Sequence, residues 1–189
     1  SNDDFQEEKF DAIIIDEGQD FDLDFWDPLM DLLKDENESF LYIFFDSNQM
    51  IYQRNAKFPI KDEPYPLTKN CRNTLEIHNA CYQYYKGEPV DPPLENNGLP
   101  IATITGNNIP KQLHNLTRHI ANLIVNEKIP PEKIVVLIAD NKHKQMYYAE
   151  LEKIQQLLPK GTRWGLEVVG SPKCISVDTV HRYKGLEAT

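Results

Sequence analysis

Two clusters of acids and amides have residue types and spacing suited to chemistry. Asp16-Glu17-Gly18-Gln19-Asp20 follows directly on the apolar run Ala12-Ile13-Ile14-Ile15. In an open α/β sheet, ligands bind beyond the carboxyl ends of the strands, which would put these carboxylates at the edge of a site. Paired acids there suit phosphate chemistry: one holds Mg²⁺ through water, and its neighbour polarises an attacking water. The plainer alternative is a solvated acidic turn, because Asp22, Asp24 and Asp27 follow and acids favour helix starts. A second apolar run, residues 40–45, ends in Asp46, with Gln49 three residues on. A neutral amide beyond a strand end can orient water or sense a terminal phosphate without competing for the metal. Its plainer role is a turn residue, since Asp46-Ser47-Asn48 is good turn chemistry.

The elements that must carry these residues can be read from the same pattern. Residues 11–16 and 40–45 are short, apolar runs, expected as strands buried on both faces. Between them, Asp24 is expected to cap a helix from Phe25 to about Lys34, with Pro28 in its first turn. Residues 55–66 hold Pro59, Pro64 and Pro66 among charges and read as a linker. Asn73-Thr74 opens a helix to about Tyr85, and residues 87–100 form a second irregular stretch rich in Pro and Gly. The chain then alternates. A strand is expected at 101–104, a helix at 111–125 with Leu113, Leu116, Ile120, Leu123 and Ile124 on one face, and a strand at 133–139. A helix follows from about Lys142, then short strands at 167–169 and 174–177. Such alternation implies an α/β fold with parallel sheets and crossover helices, the first unit spanning 1–60 and the second 61–189.

Composition bounds what this fold can do. The chain has 189 residues, 40% apolar and 26% charged, with 20 basic against 30 acidic residues and a formal charge of -10. That excludes a surface that is a nucleic-acid footprint throughout, but leaves room for a local groove. Neither a spanning apolar run nor a basic leader is present, so no membrane partner is expected. Three scattered cysteines point to a reducing, cytoplasmic setting. The spacing Cys71-x6-His78-x2-Cys81 lacks a fourth ligand and falls on a helix, which reads against zinc. Tyr82, Tyr84 and Tyr85 read as packing around that helix. The Ser1-Asn2 start resembles a cloning scar, and the pattern breaks off at Thr189, so the chain reads as a piece of a larger protein.

Four segments in order resemble superfamily 1 DNA helicases of the UvrD/Rep type. Asp16-Glu17-Gly18-Gln19-Asp20 resembles their motif II, and Asp46-Ser47-Asn48-Gln49-Met50-Ile51-Tyr52 their motif III. Leu67-Thr68-Lys69-Asn70-Cys71-Arg72-Asn73 is similar to motif IV, and residues 177–187, from Val177 through Thr179 and His181 to Gly185-Leu186-Glu187, to motif V. The resemblance implies RecA-like sheets: the end of a first motor domain in 1–60, and most of a second in 61–189. It implies ATP and Mg²⁺ as cofactors and single-stranded or partly duplex DNA as the partner. Asp16 would coordinate Mg²⁺ through water and Glu17 would be the general base. Gln49 would sense the γ-phosphate, and Arg72 would reach it across a cleft as an arginine finger. Gly185 would lie near the phosphates and Glu187 at the nucleotide sugar. Tyr52, Arg54, Thr179 and His181 would lie along the single strand.

The departures from the family pattern are specific. Phe45 stands where the family has Gly before the motif III Asp, Gln53-Arg54-Asn55-Ala56 replaces its stacking aromatic and Arg-Gly-Ala, and Cys71 stands for an adenine-stacking Tyr. Residues 74–176 hold one run of alternating elements, without the large inserted subdomain, as in compact members. No Gly-rich P-loop with Lys-Ser/Thr occurs in the 189 residues, so the segment alone is expected not to turn over ATP. The expected function is an ATP-dependent DNA helicase or translocase. The alternatives are a catalytically silent helicase-like module that binds or regulates another protein, and a Mg²⁺-dependent nuclease built on the acids at 16–27.

Overall fold

The computed structural model describes residues 9–35, 38–46, 58–86, 90–93 and 97–184. It is a mixed α/β fold whose strands pair in parallel in two small open sheets. The chain divides into two compact units, 1–101 and 102–189. The composition break near residue 60 thus lies inside the first unit rather than at this division.

In the first unit, β1 (Ala12–Ile15) pairs with β2 (Phe40–Ile43), Ala12 opposite Phe40 and Ile15 opposite Ile43. Only one face of this pair is covered. Ile15, Trp26 and Leu33 are buried, whereas Ile14 is 69% and Tyr42 53% exposed, so the expectation of strands buried on both faces is corrected. The helix expected at 25–34 is also shorter. A 3-10 turn at Leu23–Phe25 leads into α1 (Trp26–Met30), and no side chain caps either start. The helix stops because the chain turns out to pair with Phe10: Phe10 N–H donates to Leu32 O at 2.8 Å and Lys34 N–H to Phe10 O at 3.0 Å. That pairing satisfies backbone groups that a longer helix would have used internally. Further on, α2 (Leu75–Tyr82) starts where Thr74 Oγ1 accepts from Ile77 N–H at 3.3 Å.

The second unit is built on a three-stranded parallel sheet in the order β3–β5–β4, with β3 at Val135–Ile138, β4 at Arg163–Leu166 and β5 at Cys174–Thr179. The central strand β5 is buried along its whole length, as expected for a parallel strand covered on both faces. Helix α3 (Ile109–Val125) begins at Asn108, whose Oδ1 accepts from Lys111 N–H at 2.8 Å. Its Leu113, Thr117 and Ile120 are buried at helical spacing, and the Thr117 hydroxyl is satisfied by Leu113 O at 2.8 Å. With α4 (Lys144–Lys153), these residues build a core of Leu113, Ile120, Ile138, Leu151, Leu158, Trp164, Ile175 and Val177.

Two expected strands are corrected: one does not form and one is displaced. Residues 101–104 form no strand pairing. The strand expected at 167–169 lies instead at Arg163–Leu166, where Gly165 lets β5 approach: a Cβ there would stand 2.3 Å from Cys174 Sγ. The chain then turns at Glu167, which has a left-handed φ of 59°.

Candidate functional site

The acidic turn sits at the carboxyl end of β1, as the apolar run before it dictates. Asp16 is exposed, and its Oδ1 accepts from Glu17 N–H at 2.9 Å. Glu17 adopts the left-handed region, φ 53° and ψ 41°, a conformation costing roughly 1–2 kcal/mol for a residue with a Cβ. The next residue explains how this is held. Gly18 N–H donates to Phe44 O at 2.8 Å, and a Cβ on Gly18 would meet Ile43 Cγ2 at 2.4 Å. Only glycine allows the turn to lie this close to β2.

Gln19 joins the two acidic segments. It is 1% exposed, its Nε2 donates to Glu17 Oε2, and its Oε1 accepts from Asp46 N–H at 3.0 Å. One buried amide thus fixes the Glu17 carboxylate and the backbone just after β2 together. The sequence pattern alone assigns Gln19 no role. The signal that could have found it is an uncharged polar residue two positions after an acid in the turn that follows an apolar run, where a donor and an acceptor are both needed.

An aromatic group flanks this turn. Trp26 lies 5.5 Å from Phe21 and 5.7 Å from Phe58, and Phe45 lies 4.5 Å from Phe58 by ring centroids. Phe45, one of the departures from the family pattern, is therefore a packing partner of Phe58.

Arg72 is exposed, in a turn just ahead of α2 in the first unit. Asn70 builds that turn: its Oδ1 accepts from the N–H groups of Arg72 at 3.1 Å and Asn73 at 3.2 Å. The strand-like bridge of Lys69 with Asp91 anchors its start, Asn70 N–H donating to Asp91 O at 3.0 Å. Cys71 and Cys81 are exposed, whereas His78 is buried against Asn70 and Tyr82. The three do not form a ligand set; among the described residues no group of three or more His, Cys, Asp and Glu could hold a metal ion.

In the second unit, Thr179 and His181 lie at the carboxyl end of β5. Thr179 is 2% exposed, and its Oγ1 caps α5 (Val180–Tyr183) by accepting from Arg182 N–H at 3.3 Å. Its hydroxyl oxygen thus also serves local structure, while His181 is exposed on α5. Beside them Glu167 pairs with both Lys144 and Arg182, and Arg182 Nε also lies 3.5 Å from Asp178 Oδ2. The hydrogen bond from Lys144, with Arg182 adding its charge, holds the Glu167 carboxyl below its ordinary range. Likewise the His143 hydrogen bond lowers Asp140 at the end of β3.

Gln49, Tyr52, Arg54, Gly185 and Glu187 lie outside the described residues. Of the remaining candidates, the turn after β1 brings Asp16 and Glu17 together and ties Glu17 to Asp46. A single exposed carboxylate suits Mg²⁺, which keeps most of its waters and takes one or two protein carboxylates with the substrate's phosphates. Asp16 meets that requirement. No helix among the described residues is long and apolar enough to cross a membrane. No family model and no curated protein matches the chain.

Proposed function

We propose that the chain is the part of a UvrD/Rep-type superfamily 1 DNA helicase that carries motifs II to V, on RecA-like sheets, and that it helps to couple ATP hydrolysis to movement on single-stranded DNA. The observation that carries this proposal is the Glu17–Gln19–Asp46 linkage, a base candidate at one strand end tied through a buried amide to the start of the segment after the next strand. Ligands of open α/β sheets bind beyond the carboxyl ends of the strands, and Glu17 and Asp46 follow the ends of β1 and β2.

In this mechanism Asp16 would hold Mg²⁺ through water, and the bound ion would supply positive charge to the phosphate oxygens of ATP. Glu17, kept in place by Gln19 at one carboxylate oxygen, takes the proton of the attacking water. Gln49 would sense the terminal phosphate. Arg72 supplies positive charge to the transition state. Gly185 and Glu187 belong to the nucleotide side, and Tyr52, Arg54 and His181 to the DNA side. Thr179 acts by setting the start of α5 and so the direction of His181. A cytoplasmic setting accords with this activity.

The β- and γ-phosphates need a P-loop, which these residues do not contain. The test is phosphate release from ATP by the full-length protein with and without single-stranded DNA. Turnover stimulated by the strand, with none from the 189 residues alone, supports the proposal. Absence of turnover in the full-length protein would favour the silent module, and metal-dependent strand cleavage without ATP would favour the nuclease.

A further inference from the structure

We infer that His78 is a positioning residue for Arg72, acting as a neutral hydrogen-bond acceptor that locks the amide of Asn70. The geometry leaves little freedom in this assignment. Asn70 Oδ1 is committed to the N–H groups of Arg72 and Asn73, so its Nδ2 must be the atom facing His78 Nδ1, at 3.1 Å. An amide NH₂ only donates, so Nδ1 accepts and the imidazole carries its proton on Nε2. The ring itself cannot turn easily. It is buried, stacked on Tyr82 at 4.8 Å between centroids, and the Tyr82 hydroxyl accepts from Val90 N–H at 2.7 Å. A relay therefore runs from a packed ring in α2, through one side-chain amide, to the two peptide groups that set where Arg72 leaves the backbone.

The consequence deepens the role proposed above for Arg72 and rests on it. An arginine that meets charge only in the transition state loses effect when displaced by an ångström, and such misplacement costs on the order of 10²-fold in rate. Loosening the Asn70 amide should lower kcat while leaving the KM for ATP nearly unchanged.

Two substitutions at His78 separate this role from simple packing. His78→Phe keeps a ring to stack on Tyr82 and removes the acceptor. His78→Asn loses the ring but puts Oδ1 the same number of bonds from the backbone as Nδ1, so it keeps the acceptor. Amide hydrogen exchange in the 189-residue chain reads the turn directly. His78→Phe is expected to speed exchange at Arg72 and Asn73 by about 5- to 10-fold, the loss of one ordinary hydrogen bond, with His78→Asn near wild type. In the full-length protein, kcat should fall about 10- to 100-fold in His78→Phe and recover in His78→Asn. The reverse order of the two variants in exchange, or equal protection in both, would overturn the inference in favour of packing. If exchange follows the expected order but the wild-type full-length protein hydrolyses no ATP, the positioning of the turn stands and the helicase proposal fails. Should exchange and turnover disagree, with Arg72 and Asn73 loosened but kcat unchanged, positioning of Arg72 for catalysis is refuted.

Discussion

Replacing Gln19 by Glu changes one buried amide into a carboxyl without changing its shape, and the structure fixes what that should cost. One oxygen can still accept from Asp46 N–H, but the group that donated to Glu17 becomes a second carboxylate facing the first. A hydrogen bond to a charged group is worth roughly 1.5–3 kcal/mol, and like charges at this range add repulsion. Together they should destabilise the first unit by about 3–5 kcal/mol at pH 7.5. The repulsion is removed when the pair shares a proton, which also restores a donor. The variant pair thus binds a proton more tightly folded than unfolded, so its stability rises as pH falls and is lost as pH rises. The chain has two tryptophans, Trp26 in the first unit and Trp164 in the second. A Trp164→Phe background leaves Trp26 as sole reporter and breaks no hydrogen bond, because the buried Trp164 indole N–H has no partner among the described residues. Urea titration should show the Trp26 midpoint lowered by about 2 M at pH 7.5, for an m-value of about 2 kcal/mol/M, and largely recovered at pH 5. An unchanged midpoint at pH 7.5, or an equal loss at both pH values, would refute the reasoning.

Three other outcomes are expected. Because Lys144 and Arg182 hold the Glu167 carboxyl low, it stabilises the second unit above the ordinary carboxylate range and loses that effect as pH falls through its folded value. In a Trp26→Phe background, acid titration followed by Trp164 fluorescence should therefore be steeper with Glu167 than with Glu167→Gln, and superimposable curves would count against the ion pairs. Asn108→Ala removes the α3 cap and should cost about 1 kcal/mol in the same unit by urea titration. Labelled single strand should bind weakly. With Arg54, Arg182 and Lys184 the permanent charges of the segments proposed for DNA contact, affinity should fall about 20-fold from 50 to about 200 mM salt, and salt-insensitive binding would contradict that assignment.

Much of the frame was legible because it rests on local chemistry. Apolar runs at 12–15, 40–43 and 135–138 became strands, and the spacing of Leu113 and Ile120 marked the buried face of α3. The failures have tertiary causes. Residues 32–34 left their helix to pair with Phe10, a partner no local pattern reveals. Gly165 reads against a strand at Arg163–Leu166, yet the segment pairs because Gly165 admits Cys174. At the site, the acids after β1 followed from their place beyond a strand. Gln19 and Asn70 did not, because their roles depend on which backbone groups a turn leaves needing partners. Thr179 was expected along the DNA strand, and its cap at the start of α5 is a further role that its motif did not reveal.

The most direct test of the central claim is ATP turnover by the full-length protein carrying Glu17→Gln or Arg72→Ala, measured as phosphate release in the presence of single-stranded DNA. Glu17→Gln should abolish turnover while keeping Mg²⁺·ATP binding, since the metal role proposed for Asp16 is untouched. Arg72→Ala should reduce kcat by roughly 10³–10⁵, the loss of an arginine finger. Near-wild-type turnover in either variant would contradict the roles assigned to these residues, and with them the helicase mechanism.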